Sequence, residues 1–151
     1  MHDYFIATLR CPKCNAVSAA DSSTNMQTHI RDDASGIEIG VGFRLEPLEV
    51  RDQDIVSSGY LSTGRTATDG RVRLLETWRC PACGHENWAR VTISATEVVA
   101  IEPVVLDRPT LENAQYISDS CYIAASRVSG IPARELMADK VDPVRVLFDR
   151  L

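Results

Sequence analysis

The sequence predicts an α+β protein with a β-sheet domain over residues 1–106 and a helical segment over residues 107–151. Three observations predict this class. Apolar residues alternate with polar ones in segments that flank two Cys-x-x-Cys pairs, and apolar residues after Val105 recur at helical spacing. In addition, 44% of the 151 residues are hydrophobic and 25% are charged, which is typical of a globular chain with its own core.

The strand signals near the cysteines come first along the chain. Residues 4–9 precede the first pair, residues 71–78 precede the second pair, and residues 88–95 follow it. In the 71–78 segment Val72, Leu74 and Trp78 are in phase, so Trp78 is expected in the core. The second pair is therefore predicted at the tip of a β-hairpin.

The residues between the two pairs, 15–79, are predicted to be an insertion of strands and a loop. Within residues 36–50, alternate positions from Ile37 to Leu45 are apolar, which predicts one half-buried strand that ends near Pro47. Residues 51–70 are rich in Ser, Thr, Asp and Gly and are predicted to form a loop or a long hairpin tip.

The C-terminal segment is predicted to be helical. Apolar residues from Leu111 to Val128, Ile117 and Cys121 among them, follow helical spacing, and Gly130 closes this stretch. Two further helices are predicted at residues 133–141 and 143–151, the last with Asp142 as its N-cap. We expect residues 143–151 to be a contact surface rather than a mere cap on the sheet, and the sequence leaves open whether the segment closes the protein's own core or binds another chain.

The cysteines carry the clearest chemical signal. No secretory signal is recognisable at the N-terminus, so the thiols are expected to be reduced in a cytoplasmic protein. Two Cys-x-x-Cys turns can place four sulfurs about 2.3 Å from one ion, so we predict one structural Zn²⁺ held by a set of four ligands. These are Cys11, Cys14, Cys80 and Cys83.

The flanks of the two pairs match each other at a constant offset. Residues 8–15 read T-L-R-C-P-K-C-N and residues 77–84 read T-W-R-C-P-A-C-G. Proline suits the turn, and Asn15 and Gly84 are residue types that adopt left-handed backbone at its end. The alternatives are two unrelated reduced pairs or redox-active dithiols, but no βαβ pattern surrounds either pair.

The repeated C-P-x-C-[N/G] knuckles after strand-like segments resemble those of the zinc-ribbon class, and in particular those of small bacterial proteins of the CpXC type. The resemblance covers the two knuckles and their flanking strands. It implies a zinc-ribbon fold and a structural metal ion, and it leaves the process open because zinc ribbons serve many functions.

Several observations argue against an enzyme. Four thiolates close the coordination shell of a zinc ion, whereas a catalytic zinc keeps one position open. Cys121 is expected to be core packing, and His2, His29 and His85 are expected to be exposed without a catalytic partner. An enzyme with a site in the inserted sheet stays an open third class.

Charge and hydropathy limit the choice of partner. The net charge is −5, basic residues form no run, and no segment is long and apolar enough to span a membrane. Trp88, Arg79 and Arg90 are too few for a nucleic-acid surface. We predict a non-enzymatic adaptor or assembly subunit that binds a protein partner or itself. The alternative is a zinc-ribbon regulator that contacts nucleic acid, which is not favoured.

Overall fold

The computed structural model describes residues 2–31 and 35–151, so residues 32–34 of the predicted insertion lie outside it. The fold is mixed α+β, with two sheets and several helices. Short 3-10 helices occur at Ser22–Thr24 and Pro47–Val50. The strands and α-helices within the described residues are, in chain order, β1 (Asp3–Phe5), β2 (Gln27–Thr28), β3 (Glu38–Ile39), α1 (Asp52–Ser57), β4 (Tyr60–Ser62), β5 (Arg71–Arg79), β6 (Glu86–Ser94), β7 (Glu97–Val104), α2 (Arg108–Glu112), β8 (Tyr116–Ser118), α3 (Cys121–Ser129), α4 (Ala133–Ala138) and α5 (Pro143–Arg150).

The hairpin of β5 and β6 is the centre of the larger sheet, whose strand order is β4-β8-β5-β6-β7. The two strands pair in register from Arg71 opposite Ser94 to Arg79 opposite Glu86. Both predicted strands at 71–78 and 88–95 are thereby confirmed, and the second cysteine pair lies at the hairpin tip as expected. On the other side of β5, β8 pairs with it in the parallel sense.

The smaller sheet has the order β2-β1-β3 and faces one side of the larger sheet. Side chains from both sheets share one hydrophobic core, in which Phe5, Ile39, Leu74 and Trp78 are all buried. The burial of Trp78 confirms its predicted core position. β1 ends at Phe5 and is therefore shorter than the strand predicted at 4–9.

A second core lies on the opposite face of the larger sheet, under the C-terminal helices. Leu75 and Ile117 of the sheet pack there with Cys121, Val144 and Leu147. The last two helices were predicted nearly correctly, and the Asp142 side chain accepts a hydrogen bond from the Val144 N–H at 3.0 Å as the N-cap. Because Val144 and Leu147 are buried, the apolar stripe of α5 closes the protein's own core.

The strand predicted over residues 36–50 is wrong for most of its length. The one strand in this range is β3, and Gly42, with φ of +94°, turns the chain after it. Its N–H donates to the carbonyl of Val98 at 2.7 Å, and a single bridge joins Arg44 to Glu97. Val41, predicted on the buried side of the alternation, is consequently exposed.

The loop predicted over residues 51–70 is also wrong in its first half. This half contains α1 and β4, which bury Ile55 and Tyr60 against the first core. Sequence composition does not reveal these elements because both are short: α1 has six residues and β4 has three. Each also has few apolar residues, and polar residues surround them.

The helix predicted from 111 to 128 is interrupted. α2 ends at Glu112, and residues 116–118 form β8 between β4 and β5 before α3 begins. All three residues of β8 are buried, so the segment lacks the alternation of buried and exposed residues that would distinguish a strand from one turn of a buried helix. Residues 107–151 thus supply a strand as well as helices, and the division of the chain at residue 106 into separate domains stays a prediction. Among the described residues no helix has the length and hydropathy needed to cross a membrane.

Candidate metal centre

The two cysteine pairs occupy turns with the same backbone hydrogen bonds. The Asn15 N–H donates to the Cys11 carbonyl at 2.9 Å, and the Gly84 N–H donates to the Cys80 carbonyl at 2.8 Å. Asn15 and Gly84 have φ of 65° and 73°, the left-handed conformation predicted for both positions. Each turn is closed by a second bond, which the Cys11 N–H donates to the Ala16 carbonyl and the Cys80 N–H donates to the His85 carbonyl.

These turns bring all four predicted sulfurs together. The Cys11 Sγ lies 3.7 Å from the Cys83 Sγ, and the Cys14 Sγ lies 3.6 Å from the Cys80 Sγ. All four sulfurs are within 4.8 Å of one another. These separations are far longer than a disulfide bond of about 2.05 Å. They are close to the edge of about 3.8 Å in a tetrahedron of sulfurs placed 2.3 Å from a central ion.

The cluster lies at the boundary between core and solvent. Cys11 and Cys80 are buried, whereas Cys14 and Cys83 are exposed. The first cysteine of each pair thus points inward and the second outward, so an ion could enter from the surface and still be anchored to the core. Within the described residues this is the one group of three or more His, Cys, Asp or Glu side chains with ligand spacing.

The electrostatics of the cluster favour a cation. Burial alone raises the pKa of the Cys11 thiol, but hydrogen bonds from the backbone N–H groups of Cys14 and Lys13 outweigh burial and lower the pKa to about 6. The N–H of Cys83 likewise lowers the pKa of Cys80. For Cys14 the N–H of Ala16 lowers the pKa, yet burial and the neighbouring thiols raise it to about 11. The raised pKa of Cys14 thus disfavours its thiolate beside the other sulfurs, and a bound divalent ion would offset the repulsion between negatively charged sulfurs.

Asn87 connects the two knuckles through hydrogen bonds of its side chain. Its Nδ2 donates to the Cys11 Sγ at 3.7 Å and to the His85 carbonyl at 3.1 Å, while its Oδ1 lies 2.6 Å from the His85 Nδ1. Ser18 is the equivalent residue in the first knuckle, seven positions after Cys11 as Asn87 is seven after Cys80. Its Oγ accepts from the Leu9 N–H at 3.0 Å and donates to the Ala7 carbonyl at 3.3 Å, so the hydroxyl bonds to backbone groups and not to a sulfur of the cluster.

The remaining residues singled out from the sequence lie apart from the cluster. Cys121 is buried in the second core, and burial raises its pKa to about 12, as expected for an inert packing thiol. His2 and His29 are exposed and contact each other edge to face, with ring centroids 5.3 Å apart. His85 is exposed beside the second knuckle.

Sequence reasoning missed Glu76. This carboxylate is buried between the two sheets, where its Oε2 accepts from the Tyr60 hydroxyl at 2.6 Å and the Tyr60 hydroxyl lies 2.8 Å from the Thr28 Oγ1. Burial raises the pKa of Glu76 to about 7. A cavity of about 290 Å³ adjoins it, lined also by His29 and Ser118. The signal in the sequence was present, because Glu76 occupies the apolar phase between Leu74 and Trp78.

The fold and the site together define an α+β protein with a four-cysteine cluster that could hold a metal ion. Comparisons with protein-family models, with curated proteins and with solved structures give no match to this chain.

Proposed function

We propose that Cys11, Cys14, Cys80 and Cys83 bind one structural Zn²⁺ in a zinc-ribbon arrangement. Four thiolates with tetrahedral spacing suit zinc or an iron–sulfur centre, and paired C-P-x-C turns with closed N–H···S bonds are typical of structural zinc. The paired C-P-x-C turns also support the hypothesis that the knuckles are related to those of CpXC-type proteins.

The ion would act on the structure by joining two sheets. Cys11 and Cys14 follow β1 of the smaller sheet, whereas Cys80 and Cys83 connect β5 to β6 in the larger sheet. A shell of four thiolates offers no open position to a substrate or to water. The grouping of four cysteine sulfurs, which would close the shell of a bound ion, is the observation that carries the proposal that the metal is structural and the protein not an enzyme.

We further propose that the protein is a cytoplasmic adaptor or assembly subunit, with a protein partner or a second copy of itself. Nine large apolar side chains are exposed in the described residues, and four of them lie between positions 123 and 137. These four are Ile123, Val128, Ile131 and Met137, on α3, α4 and the turn between them. The other five are spread over the rest of the chain, so the α3–α4 segment is the best supported contact surface.

The experiment has a metal arm and a partner arm. Protein prepared without chelator should contain one zinc per chain by elemental analysis, and iron in place of zinc would contradict the proposed metal. For the partner arm, purified protein is used to capture binders from the source cell, and its own oligomeric state is measured by light scattering. Ile131→Asp should abolish the contact, and Val41→Asp, an exposed apolar residue elsewhere, is the matched control.

Salt separates the adaptor from the alternative regulator. An apolar protein contact should survive an increase from low to high salt, whereas a nucleic-acid partner should be lost steeply because phosphate contacts release counterions. If the protein captures nucleic acid and Ile131→Asp does not reduce that capture, the adaptor proposal is overturned in favour of the regulator.

A further inference from the structure

Ion pairs already engage half of the fourteen arginines, all of which lie within the described residues. In the described residues seven arginines lie within 4 Å of a carboxylate, namely Arg31, Arg44, Arg51, Arg73, Arg79, Arg90 and Arg108. Such pairing is expected in a chain with 21 acidic and 16 basic side chains. Arginines without a carboxylate partner are therefore informative where several of them lie together.

Three arginines of this kind surround one depression in the surface. Arg65 and Arg71 line a cleft of about 390 Å³ beside Gln115 and Tyr116, and Arg65 and Arg145 line an adjoining cleft of about 410 Å³ beside α5. The two clefts share Ser62, Gly64 and Arg65, and we call them together the arginine cleft. No ion pair joins any of its three arginines to a carboxylate of the described residues.

The acidic groups of the arginine cleft are engaged in other bonds. Asp52 accepts a hydrogen bond from the Tyr116 hydroxyl, and Asp142 accepts from the Val144 N–H at 3.0 Å to cap α5. Asp69, close to the cleft in sequence, pairs with Arg73 at 2.7 Å. The lining of the cleft thus includes three arginines against two acidic residues that are already hydrogen-bonded, a local excess of positive charge in a chain of net charge −5.

Arg65 is held in the centre of the cleft by an aromatic ring. Its guanidinium carbon lies 4.5 Å from the centroid of the Phe148 ring, a cation–π contact that uses the face of the guanidinium. The N–H groups at its edge stay available for a planar oxyanion. Phe148 is itself fixed, because its carbonyl accepts from Arg108 Nη1 at 2.6 Å and its helix packs on the second core.

We propose that the arginine cleft binds a small phosphate-bearing molecule. Guanidinium groups bind phosphate oxygens in bidentate geometry, and the hydroxyls of Ser62 and Thr66 in the same lining can complete the coordination of the remaining oxygens. The volumes of the two clefts are those of small-molecule sites. A long polyanion fits less well, because the net negative charge of the whole chain would repel it outside the cleft. The site goes beyond the proposed adaptor function and does not depend on it.

Inorganic pyrophosphate is the probe for this site. It is titrated into the zinc-loaded full chain at low salt by calorimetry, and the Arg Nε–H signals are followed by NMR. We expect saturable binding with a shift of the Arg65 signal, and about tenfold weaker binding in Arg65→Gln and in Arg145→Gln. Arg134→Gln is the control, since Arg134 is exposed on α4 outside the cleft and the substitution changes the net charge equally; it should change the affinity by less than about twofold.

Three results would overturn the proposal. The first is no saturation below about 10 mM pyrophosphate, which is weaker than a specific site of this size should be. The second is a loss of affinity in Arg134→Gln equal to that in Arg65→Gln and Arg145→Gln, which would show that pyrophosphate is attracted by the overall charge and not by the cleft. The third is far tighter binding of a single-stranded DNA of about 20 nucleotides than of pyrophosphate. If all three substitutions weaken that binding, the surface is a nucleic-acid interface. Unchanged zinc content and circular dichroism in each variant exclude misfolding as the cause.

Discussion

The N-terminal region and the hairpin region hold their halves of the metal centre in different ways. The strands of the smaller sheet, β1 to β3, have only two or three residues, and the first knuckle is flanked by a single bridge between Arg10 and Val17. The second knuckle closes nine consecutive pairs between β5 and β6. The same turn chemistry therefore rests on unequal supports, and the metal should matter most for the region with the fewest strand contacts of its own.

Removal of the metal should have the largest effect and should act unequally on the two regions. Structural zinc contributes on the order of 10 kcal/mol in isolated fingers, and here the ion would join segments 69 positions apart. In chelator we expect amide hydrogen exchange to accelerate first in residues 8–18 and in β1 to β3. The β5–β6 hairpin and the helices of the second core should stay partly protected.

Cys11→Ser and Cys80→Ser provide the matched pair for this prediction. Each should lose the metal to the same extent, because a site of four ligands needs both knuckles, and each should then reproduce the exchange pattern of the chelated protein. Simultaneous loss of protection in β5–β6 and in residues 8–18 would contradict this prediction, since it would show that both regions depend on the metal equally.

Leu147→Ala tests the hairpin region from its other face. Leu147 is fully buried in the second core, so truncation should lower the free energy of unfolding by about 2–5 kcal/mol through lost burial and an unfilled cavity. Chemical denaturation measures the change, and Val146→Ala, a half-buried residue off the stripe, should cost less. Deletion of residues 143–151 should be more harmful than either. A truncated chain that stays soluble, zinc-loaded and equally stable but changes its oligomeric state or loses its partner would show that α5 is a contact surface for another chain.

Glu76 lies at the junction of the two regions and should make their association depend on pH. Its pKa of about 7 in the folded protein is above its ordinary value of 4.5, so between these values the folded state binds more protons than the unfolded state. Stability from protonated Glu76 is therefore fully present below pH 4.5 and is lost as pH rises through 7. The loss should amount to about 3 kcal/mol, since each pKa unit corresponds to 1.36 kcal/mol.

Glu76→Gln should remove this pH dependence. The amide resembles the protonated acid, and its NH₂ can donate to the Tyr60 hydroxyl, which can in turn donate to Thr28. We expect the variant to be more stable than the parent protein at pH 8 and nearly equal at pH 5, as measured by urea denaturation. Parallel pH profiles for the two proteins would show that Glu76 does not carry the effect.

The parts of the structure that could be predicted from sequence are those with a local physical signature. The four cysteines follow from ligand spacing, and β5 and β6 follow from the alternation of apolar and polar residues within 71–78 and 88–95. β8 could not be found, because three residues buried on both faces have no period. β3 was predicted too long, because the alternation from Ile37 to Leu45 continues through a turn that Gly42 makes in space.

The additional polar sites were invisible for a different reason. Glu76, Tyr60 and Thr28 come from three strands far apart in the chain, and the arginine cleft joins the 62–71 segment to α5. Only the topology of the sheets brings such residues together. The one local hint was Glu76, a carboxylate at an apolar position of a strand, and such a residue is best treated as a candidate rather than as a gap in the pattern.

The smallest predicted effect compares the two knuckles directly through Asn87 and Ser18. Asn87 donates to the Cys11 sulfur from the opposite knuckle, so Asn87→Ala should weaken metal binding by about tenfold, as is usual for groups that orient metal ligands. Ser18→Ala removes the hydrogen bonds of the Ser18 hydroxyl with the Leu9 N–H and the Ala7 carbonyl but no contact with a sulfur, so it should lower stability by about 1 kcal/mol with the metal affinity almost unchanged. Competition with a chromophoric chelator measures the affinity, and thermal unfolding of the metal-loaded protein measures the stability. If Ser18→Ala weakens metal binding as much as Asn87→Ala does, the knuckles are equivalent in their support of the ion, and the inequality between the two regions lies only in their strands.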